Sequence, residues 1–312
     1  MIKIKEKLIF KCDIIIKMEE EKRLIIIDSN ALLHRAFHAL PPLTNKKGEA
    51  TGAVYGFLLI LFKAIKDLNA NYIVATFDLP QPTFRHEKFD GYKAQRPKTP
   101  SEIISQLTII KEVLKCLKIP IFAKQGFEAD DLIATIAKRA EKFSEVYILS
   151  GDLDNLQLVN DKIKVYTLGK GIKDTVVYNK EKVISRFGVL PEQMIDFKAL
   201  SGDPSDNIPG VPGIGKKTAT DLIQKFVSVK NLYSEIGQGM ANIKPRIREL
   251  LVEHKEKALL SLDLVEMRKD VDLDFFIEDC KFGKFDLEKV EEKLRDLDFS
   301  SIIKTIKTYI LN

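Results

Sequence analysis

Three runs of apolar, mostly β-branched residues each end in an aspartate: Leu24-Ile-Ile-Ile-Asp28, Tyr72-Ile-Val-Ala-Thr-Phe-Asp78 and Val146-Tyr-Ile-Leu-Ser-Gly-Asp152. Unbroken apolar runs of this length mark strands covered on both faces, as in a parallel sheet. Between them apolar residues recur at three- and four-residue intervals, the period of amphipathic helices. One such segment opens Thr99-Pro-Ser-Glu102, a capping-box spacing with Pro at the first helical position, and carries Ile103, Ile104, Leu107, Ile110, Val113, Leu114 and Leu117. Another begins near Ala129 and places Leu132, Ile133, Ile136, Ala137 and Ala140 on one face. Lys164 to Tyr178 reads as a hairpin turning at Gly169-Lys170-Gly171, and the pattern beyond is helical, with a break at Asp270-Val-Asp-Leu-Asp274. The expected fold is α/β, a mainly parallel central sheet with flanking helices. A boundary near Leu200 separates an α/β domain, residues 23–200, from a helical region, 201–312; residues 1–22 read as an N-terminal extension.

Composition narrows the class without fixing it. With 312 residues, 45% of them hydrophobic, the chain can bury a large core, and 16 Gly with 12 Pro are too few for a fibrous or low-complexity protein. Fifty basic against forty-five acidic residues, a net charge of +5, permits a polyanionic partner without demanding one. Cys12, Cys116 and Cys280 have no metal-ligand spacing and read as structural thiols in a reducing compartment. The apolar run from Ala53 to Phe62 is about half the ~20 residues a membrane-spanning helix needs. Lys3, Lys5, Glu6, Lys7, Lys11, Asp13 and Lys17 interrupt the first seventeen residues, unlike a signal peptide, so the expected location is cytoplasmic.

The segment 79–100 is basic and poorly periodic. Pro80, Pro82, Gly91 and Pro97 break it, and Arg85, His86, Lys88, Lys93, Arg96 and Lys98 face only Glu87 and Asp90. A solvated loop is the plain reading. Phe84, Phe89 and Tyr92 among those cations are also what a single-strand groove uses, cations for phosphates and rings for bases.

Nine carboxylates stand at chemically pointed positions: Asp28, Asp78, the trio in Glu128-Ala-Asp130-Asp131, the pair Asp152 and Asp154, and the pair in Asp203-Pro-Ser-Asp206. Strand ends of a parallel sheet share one rim, the usual seat of ligands, so Asp28, Asp78 and Asp152 are expected to meet there. Taken singly, each acid suits a turn or a helix cap. Together they would repel one another unless a cation neutralised them, and oxygen ligands without His or Cys favour Mg²⁺ or Mn²⁺. Paired divalent ions are a known device for attacking a phosphodiester with water. A second candidate site, Gly210-Val-Pro-Gly213-Ile-Gly215-Lys216-Lys217-Thr218, nearly spells a phosphate-binding P-loop. Lys217 takes the required Ser/Thr position, however, and no strand precedes it. A Gly-Ile-Gly hairpin between helices, offering backbone N–H groups and lysines to a phosphate, is the alternative, with a plain helix–turn–helix corner beside it.

These residues resemble the 5'-nuclease family, in particular the 5'→3' exonuclease (flap endonuclease) domain of bacterial DNA polymerase I. The resemblance rests on Asp28-Ser-Asn-Ala-Leu, Phe77-Asp78, Tyr92-Lys93-Ala-Gln-Arg96-Pro, Glu128-Ala-Asp-Asp131, Ser150-Gly-Asp-Leu-Asp154 and the run Gly202 to Gly215, in that order, over about Leu24 to Ser301. It implies a PIN-like 5'-nuclease fold in which Asp28, Asp78, Glu128, Asp130 and Asp131 line one Mg²⁺ (or Mn²⁺) position and Asp152, Asp154, Asp203 and Asp206 the other. Asp28, Asp78, Asp131, Asp152, Lys93 and Arg96 would be the catalytic set. Segment 79–100 would be a helical arch with Arg85, Tyr92, Lys93 and Arg96 on DNA, Tyr92 stacking on a terminal base. Gly213, Gly215, Lys216 and Lys217 would grip duplex through a helix-hairpin-helix, with K⁺ bound there. The implied substrate is DNA with 5' flaps, nicks or 5' ends, an RNA primer strand being tolerated. The enzyme would be a monomer working with a DNA polymerase in cis or in trans. Two rivals remain: a non-catalytic DNA-junction binder of the same fold, and an RNA-cleaving relative.

Overall fold

The computed structural model describes residues 21–169, 171 and 174–310. All but the last two residues of the expected extension, Cys12 included, and Lys170 in the hairpin turn lie outside the described residues. Six strands, β1 (Arg23–Asp28), β2 (Tyr72–Thr76), β3 (Ile121–Phe122), β4 (Glu145–Leu149), β5 (Ile163–Leu168) and β6 (Thr175–Tyr178), form one sheet in the order β3-β2-β1-β4-β5-β6. β1 to β5 run parallel, and β6 turns back antiparallel on β5, the expected hairpin. Only β3, two residues long, has no counterpart in the hydrophobic pattern.

β1 is central and shows why continuous apolar runs were needed. Leu24 and Ile26 enter the core on one face, Ile25 and Ile27 the core on the other, and all four are fully buried. Burying each such side chain is worth roughly 1.5–3 kcal/mol. From β1 the chain passes through α1 (Ser29–Ala39) and α2 (Gly52–Leu68) to β2, then through α3 (Phe84–Lys88) and α4 (Ser101–Cys116) to β3. α1, α2 and α4 cover one face; α5 (Ala129–Ala140), leading from β3 to β4, covers the other. The strand order therefore reverses between β1 and β4, and the crevice at their carboxyl ends is the topological switch point.

Local details differ from expectation in instructive ways. Pro100 occupies the cap position of α4 and makes no side-chain cap, so the Thr99 capping box does not form. Thr51 likewise leaves the start of α2 uncapped. Instead buried Gln106, from α4, accepts from the N–H groups of Ala53 (2.7 Å) and Val54 (3.2 Å) and donates to the carbonyl of Glu102 (2.9 Å). Segment 79–100 contains a single five-residue helix, α3, where a longer helical arch was expected; Pro and Gly leave the remainder in turns.

The helices α6 (Lys180–Phe187), α7 (Met194–Ser201), α8 (Lys216–Phe226), α9 (Val229–Gly237), α10 (Pro245–Glu253) and α11 (Lys255–Val265) extend the α5 face, so one core runs across residue 200. The charged break is an extended strap. The Arg139 guanidinium donates to the carbonyls of Val271 (2.8 Å) and Leu273 (2.7 Å), and Thr135 bonds the backbone of Arg268 and Val271. The strap returns the chain to the opposite face, where α12 (Leu287–Asp296) and α13 (Ser300–Ile310) place Val290, Leu294, Ile302 and Ile306 on α2 and α4. Among the described residues, no helix is long and apolar enough to cross a membrane.

Candidate active site

The switch point gathers acids because three strands end there in polar residues. Asp28, the last residue of β1, also caps α1: one oxygen accepts from the Ala31 N–H (3.2 Å) and the other from the Ser150 hydroxyl (2.6 Å). Ser150 follows β4, and its oxygen in turn accepts from the Asp152 N–H (2.9 Å); Asp152 accepts from the Asp154 N–H (2.9 Å). Buried Asn155 donates to Asp130 (3.3 Å) and to Ser150 (3.4 Å), while its own side-chain oxygen is buried without a hydrogen-bond partner. Asp78, two residues beyond β2 and open to solvent at the mouth, accepts from the Ala129 N–H at the start of α5 (2.8 Å). Asn30 holds it from the other side by accepting from its N–H (3.2 Å).

Electrostatics shows what this crowding costs. Burial, with further repulsion from Asp78 and Asp152, pushes Asp28 up to about 7 despite the Ser150 bond. Burial and the charge of Asp152 likewise raise Asp154 to about 7. Asp130 rises well above the usual carboxylate range through burial and repulsion from Asp28 and Asp152. The rim thus gathers carboxylates whose ionised form the protein's own cations do not fully support.

Elsewhere in the cleft side-chain cations do the balancing. Lys198, on α7, bridges Asp154 and Asp203, lying 2.7 Å from Asp203, and its pKa is raised because the two charges outweigh burial. For Asp203, burial is outweighed by Lys198 and by the N–H (2.9 Å) and hydroxyl (2.6 Å) of Ser205, so its pKa falls. Lys93 contacts Glu128 (2.7 Å) and Asp206 (3.8 Å), and Arg96 contacts Asp206. Lys93 adopts φ +53°, a left-handed backbone that costs a non-glycine residue roughly 1–2 kcal/mol, held by its N–H bond to the Asp206 carbonyl (3.0 Å). Among the described residues, no three acids stand at ligating separation.

Three expected site residues lie inside the protein rather than open to the cleft. Asp131 is fully buried and turned from the rim: Arg85 grips both its oxygens (2.7 and 2.9 Å), and the N–H groups of Glu128 (3.1 Å) and Arg268 (2.9 Å) complete its shell. All four donors to its carboxylate are protein groups. Arg85, expected on DNA, is 2% exposed and spends its other donors on Glu128 and the carbonyls of Leu264 (2.8 Å) and Glu266 (3.1 Å). Tyr92, expected to stack on a base, is 4% exposed, and its hydroxyl donates to Glu128 (2.9 Å), with Asp206 at 3.4 Å. Phe84 packs beneath Arg85, Lys88 and Arg268.

The glycine-rich hairpin lies at the surface. Val211 and Ile214 anchor it in the core, while Gly213, Gly215, Lys216 and Lys217 are exposed. Gly213 has φ +86°, and a side chain at Gly215 would meet nothing within 4 Å, so another molecule's backbone has room to approach. Lys216 and Lys217 open α8. A separate groove of about 390 Å³, lined by Lys138, Gln157, Asn160 and Lys180 among others, contains none of the nine acids.

Sequence reasoning missed Ser150, Asn155 and Lys198. Ser150 stood inside a quoted motif; Lys198 lies on a helix with no motif, and only the fold brings it to Asp154.

Comparison with known proteins agrees with this arrangement. Residues 23–188 match the family model described as "5'-3' exonuclease, N-terminal resolvase-like domain", and residues 189–288 match "5'-3' exonuclease, C-terminal SAM fold". DNA polymerase I of Bacillus subtilis (strain 168) is 41% identical over 290 residues, covering 93% of this chain and 33% of that protein. The chain therefore spans about a third of the length of the polymerase relatives it matches. The 5'-3' exonuclease of Aquifex aeolicus (strain VF5) is 40% identical over 286 residues, 91% of this chain and 95% of that one. In fold, the chain is similar to the T5 D15 protein co-crystallised with metal ions (TM-score 0.66, 22% identity, 93% of this chain and 98% of that one). It is similar also to the catalytic core of Rad2 in complex with DNA substrate (TM-score 0.61, 19% identity, 94% and 92%). With both halves matched in order and a full-length relative at 40% identity, the chain belongs to the 5'-3' exonuclease family.

Proposed function

We propose that the chain is a structure-specific 5' nuclease that uses divalent metal, Mg²⁺ or Mn²⁺, to hydrolyse DNA phosphodiesters at 5' flaps, nicks and 5' ends, in primer removal and repair. The observation that carries this reading is the convergence at one switch point of acids from separate segments, with Lys93 and Arg96 beside them.

The donor set fits hard cations: it is all oxygen, it gathers carboxylates, Asp28 and Asp130 among them, whose ionised form the protein's own cations do not fully support, and Asn155 adds an unpartnered buried oxygen. Asp28, Asp78, Asp130 and Asp152 would hold one ion, and Asp154, Asp203, Asp206 and Glu128 the other. When bound, such ions would lend the site the Lewis acidity to ease loss of a proton from water and to offset charge on the leaving oxygen. Lys93 and Arg96 exchange their carboxylate partners for the oxygens of the scissile phosphate and stabilise its growing charge. Ser150 and Asn155 keep the carboxylates oriented. The hairpin of Gly213, Gly215, Lys216 and Lys217 holds duplex backbone without reading sequence, and K⁺ is proposed there. The named neighbour T5 D15 flap endonuclease, described with DNA and metal ions, supports the reading by analogy of fold. A monomer acting beside a DNA polymerase in cis or in trans is the proposed context, with an RNA 5' strand tolerated.

The test uses a 5'-labelled flap on a nicked duplex, with Mg²⁺ or with EDTA. A flap-length product, within about one nucleotide, that forms only with Mg²⁺ supports the reading, and Asp152→Ala should abolish it while leaving DNA bound. Binding without cutting would instead favour the junction-binding rival.

A further inference from the structure

The turn 203–208 does more than present two carboxylates. Asp203 and Ile208 pair across it, each donating its N–H to the other's carbonyl (3.0 and 2.8 Å). At its base Gly202 and Gly210 are in backbone contact: a side chain on Gly210 would fall 2.3 Å from the Gly202 nitrogen. Within this pinned turn Asn207 adopts φ +56°. Asn is among the few side-chain-bearing residues that accept this conformation readily.

The Asn207 side chain leaves the turn altogether. Its amide donates to the carbonyl of Gly91 (2.7 Å), and its oxygen accepts from the Gln95 amide (3.1 Å). Gly91 and Gln95 flank Lys93, so one side chain spans the loop that carries it. Gly91 makes the approach possible: a side chain there would lie 2.6 Å from the Phe89 ring and 3.1 Å from the Asn207 amide nitrogen. The Lys93 N–H bond to the Asp206 carbonyl (3.0 Å) and the Arg96 bond to the Ser205 carbonyl (3.4 Å) run alongside. Among the described residues these side-chain bonds run to Gly91 and Gln95 and to no carboxylate, and nothing in the proposed chemistry uses Asn207.

We infer that Asn207 is a positioning residue, which fixes the loop 91–96 so that Lys93 and Arg96 stand over the acidic cleft. The inference rests on the nuclease reading and deepens it. Lys93 sits in a left-handed backbone, so without a brace its loop relaxes and the ammonium moves off the phosphate. A displacement of about 1 Å costs a catalytic group on the order of 100-fold in rate.

The experiment measures single-turnover flap cleavage at saturating enzyme, flap binding in Ca²⁺, and thermal unfolding. Asn207→Gly keeps the left-handed backbone and removes both side-chain bonds. Gln95→Ala, at an exposed site, removes one of them with little risk to folding. Asn207→Gly should cut roughly 10- to 100-fold more slowly, and Gln95→Ala less so, both with binding and melting temperature near wild type. In a Lys93→Ala background, Asn207→Gly should add little, because it acts through Lys93. Wild-type rates in Asn207→Gly overturn the inference. So does a loss in which rate, affinity and melting temperature fall together while Gln95→Ala is unaffected, or full additivity with Lys93→Ala. If the wild-type chain does not cut at all, it is the nuclease reading that fails.

Discussion

The buried pair of Arg85 and Asp131 gives the sharpest quantitative test of the structure. Asp131 has four donors, two of them from Arg85, and Arg85 also satisfies the carbonyls of Leu264 and Glu266. Arg85→Met keeps much of the aliphatic stem but leaves a buried carboxylate facing only two backbone N–H groups. Breaking a buried pair from one side costs about 3–5 kcal/mol. At ~2–4 °C per kcal/mol for a large domain, the melting temperature should fall by roughly 6–20 °C. Replacing both partners removes the uncompensated charge, so Arg85→Met with Asp131→Leu should recover most of the loss. Thermal and urea unfolding followed by circular dichroism in EDTA compare four proteins: the wild type, Arg85→Met, Asp131→Leu and the double variant. A single-variant cost below about 1 kcal/mol, or a double variant as unstable as the sum of the singles, would refute the assignment. Asp131→Asn adds a functional arm: stability should fall while turnover per folded molecule stays within a few-fold. The opposite result, lost turnover at unchanged stability, would return Asp131 to the metal ligands.

Three further outcomes follow from the same geometry. Gln106→Leu orphans the buried N–H groups of Ala53 and Val54 and should destabilise by about 1–3 kcal/mol, read by denaturant midpoint; an unchanged midpoint would mean another group caps α2. Asp28 and Asp154 titrate near 7 when folded, against about 4 unfolded, so between these values the folded chain binds more protons and stability should fall as pH rises. In EDTA the wild type should therefore lose more stability between pH 5 and 8 than Asp28→Asn does, and Mg²⁺ should restore more at pH 8 than at pH 5; an equal loss in both proteins would contradict the raised value. Lys93→Ala should lower the single-turnover rate more than flap affinity, whereas a loss in affinity alone would reduce Lys93 to a phosphate anchor.

What was legible in the sequence was whatever a one-dimensional pattern dictates. β1, β2 and β4 are buried on both faces, so continuous runs announced them, and the strand-end rule brought Asp28, Asp78 and Asp152 to one rim. β3 escaped because two residues make no pattern. The Thr99 cap failed because Pro100, which makes no side-chain cap, takes the cap position of α4; the uncapped start of α2 is met instead by Gln106 of α4, a tertiary contact no local spacing reveals. Asp131 misled for a related reason. Three acids in four positions look equivalent on paper, but at a helix start each points a different way, and Asp131 points inward at Arg85. Basic residues in 79–100 looked uniformly available to DNA, yet one of them, Arg85, is spent inside the protein.

The acidic cleft is assembled from residue 28 through residue 206, with Lys198 of α7 joining Asp154 to Asp203 across the match of the two family models. A chain emerging from the ribosome therefore carries only part of this cleft while only its α/β half has been made. On the proposed reading, competence to hydrolyse DNA would arrive only once the helices after residue 189 have docked. On that reading a polypeptide interrupted midway would lack Lys198, Asp203 and Asp206 and so would be a poor nuclease by construction.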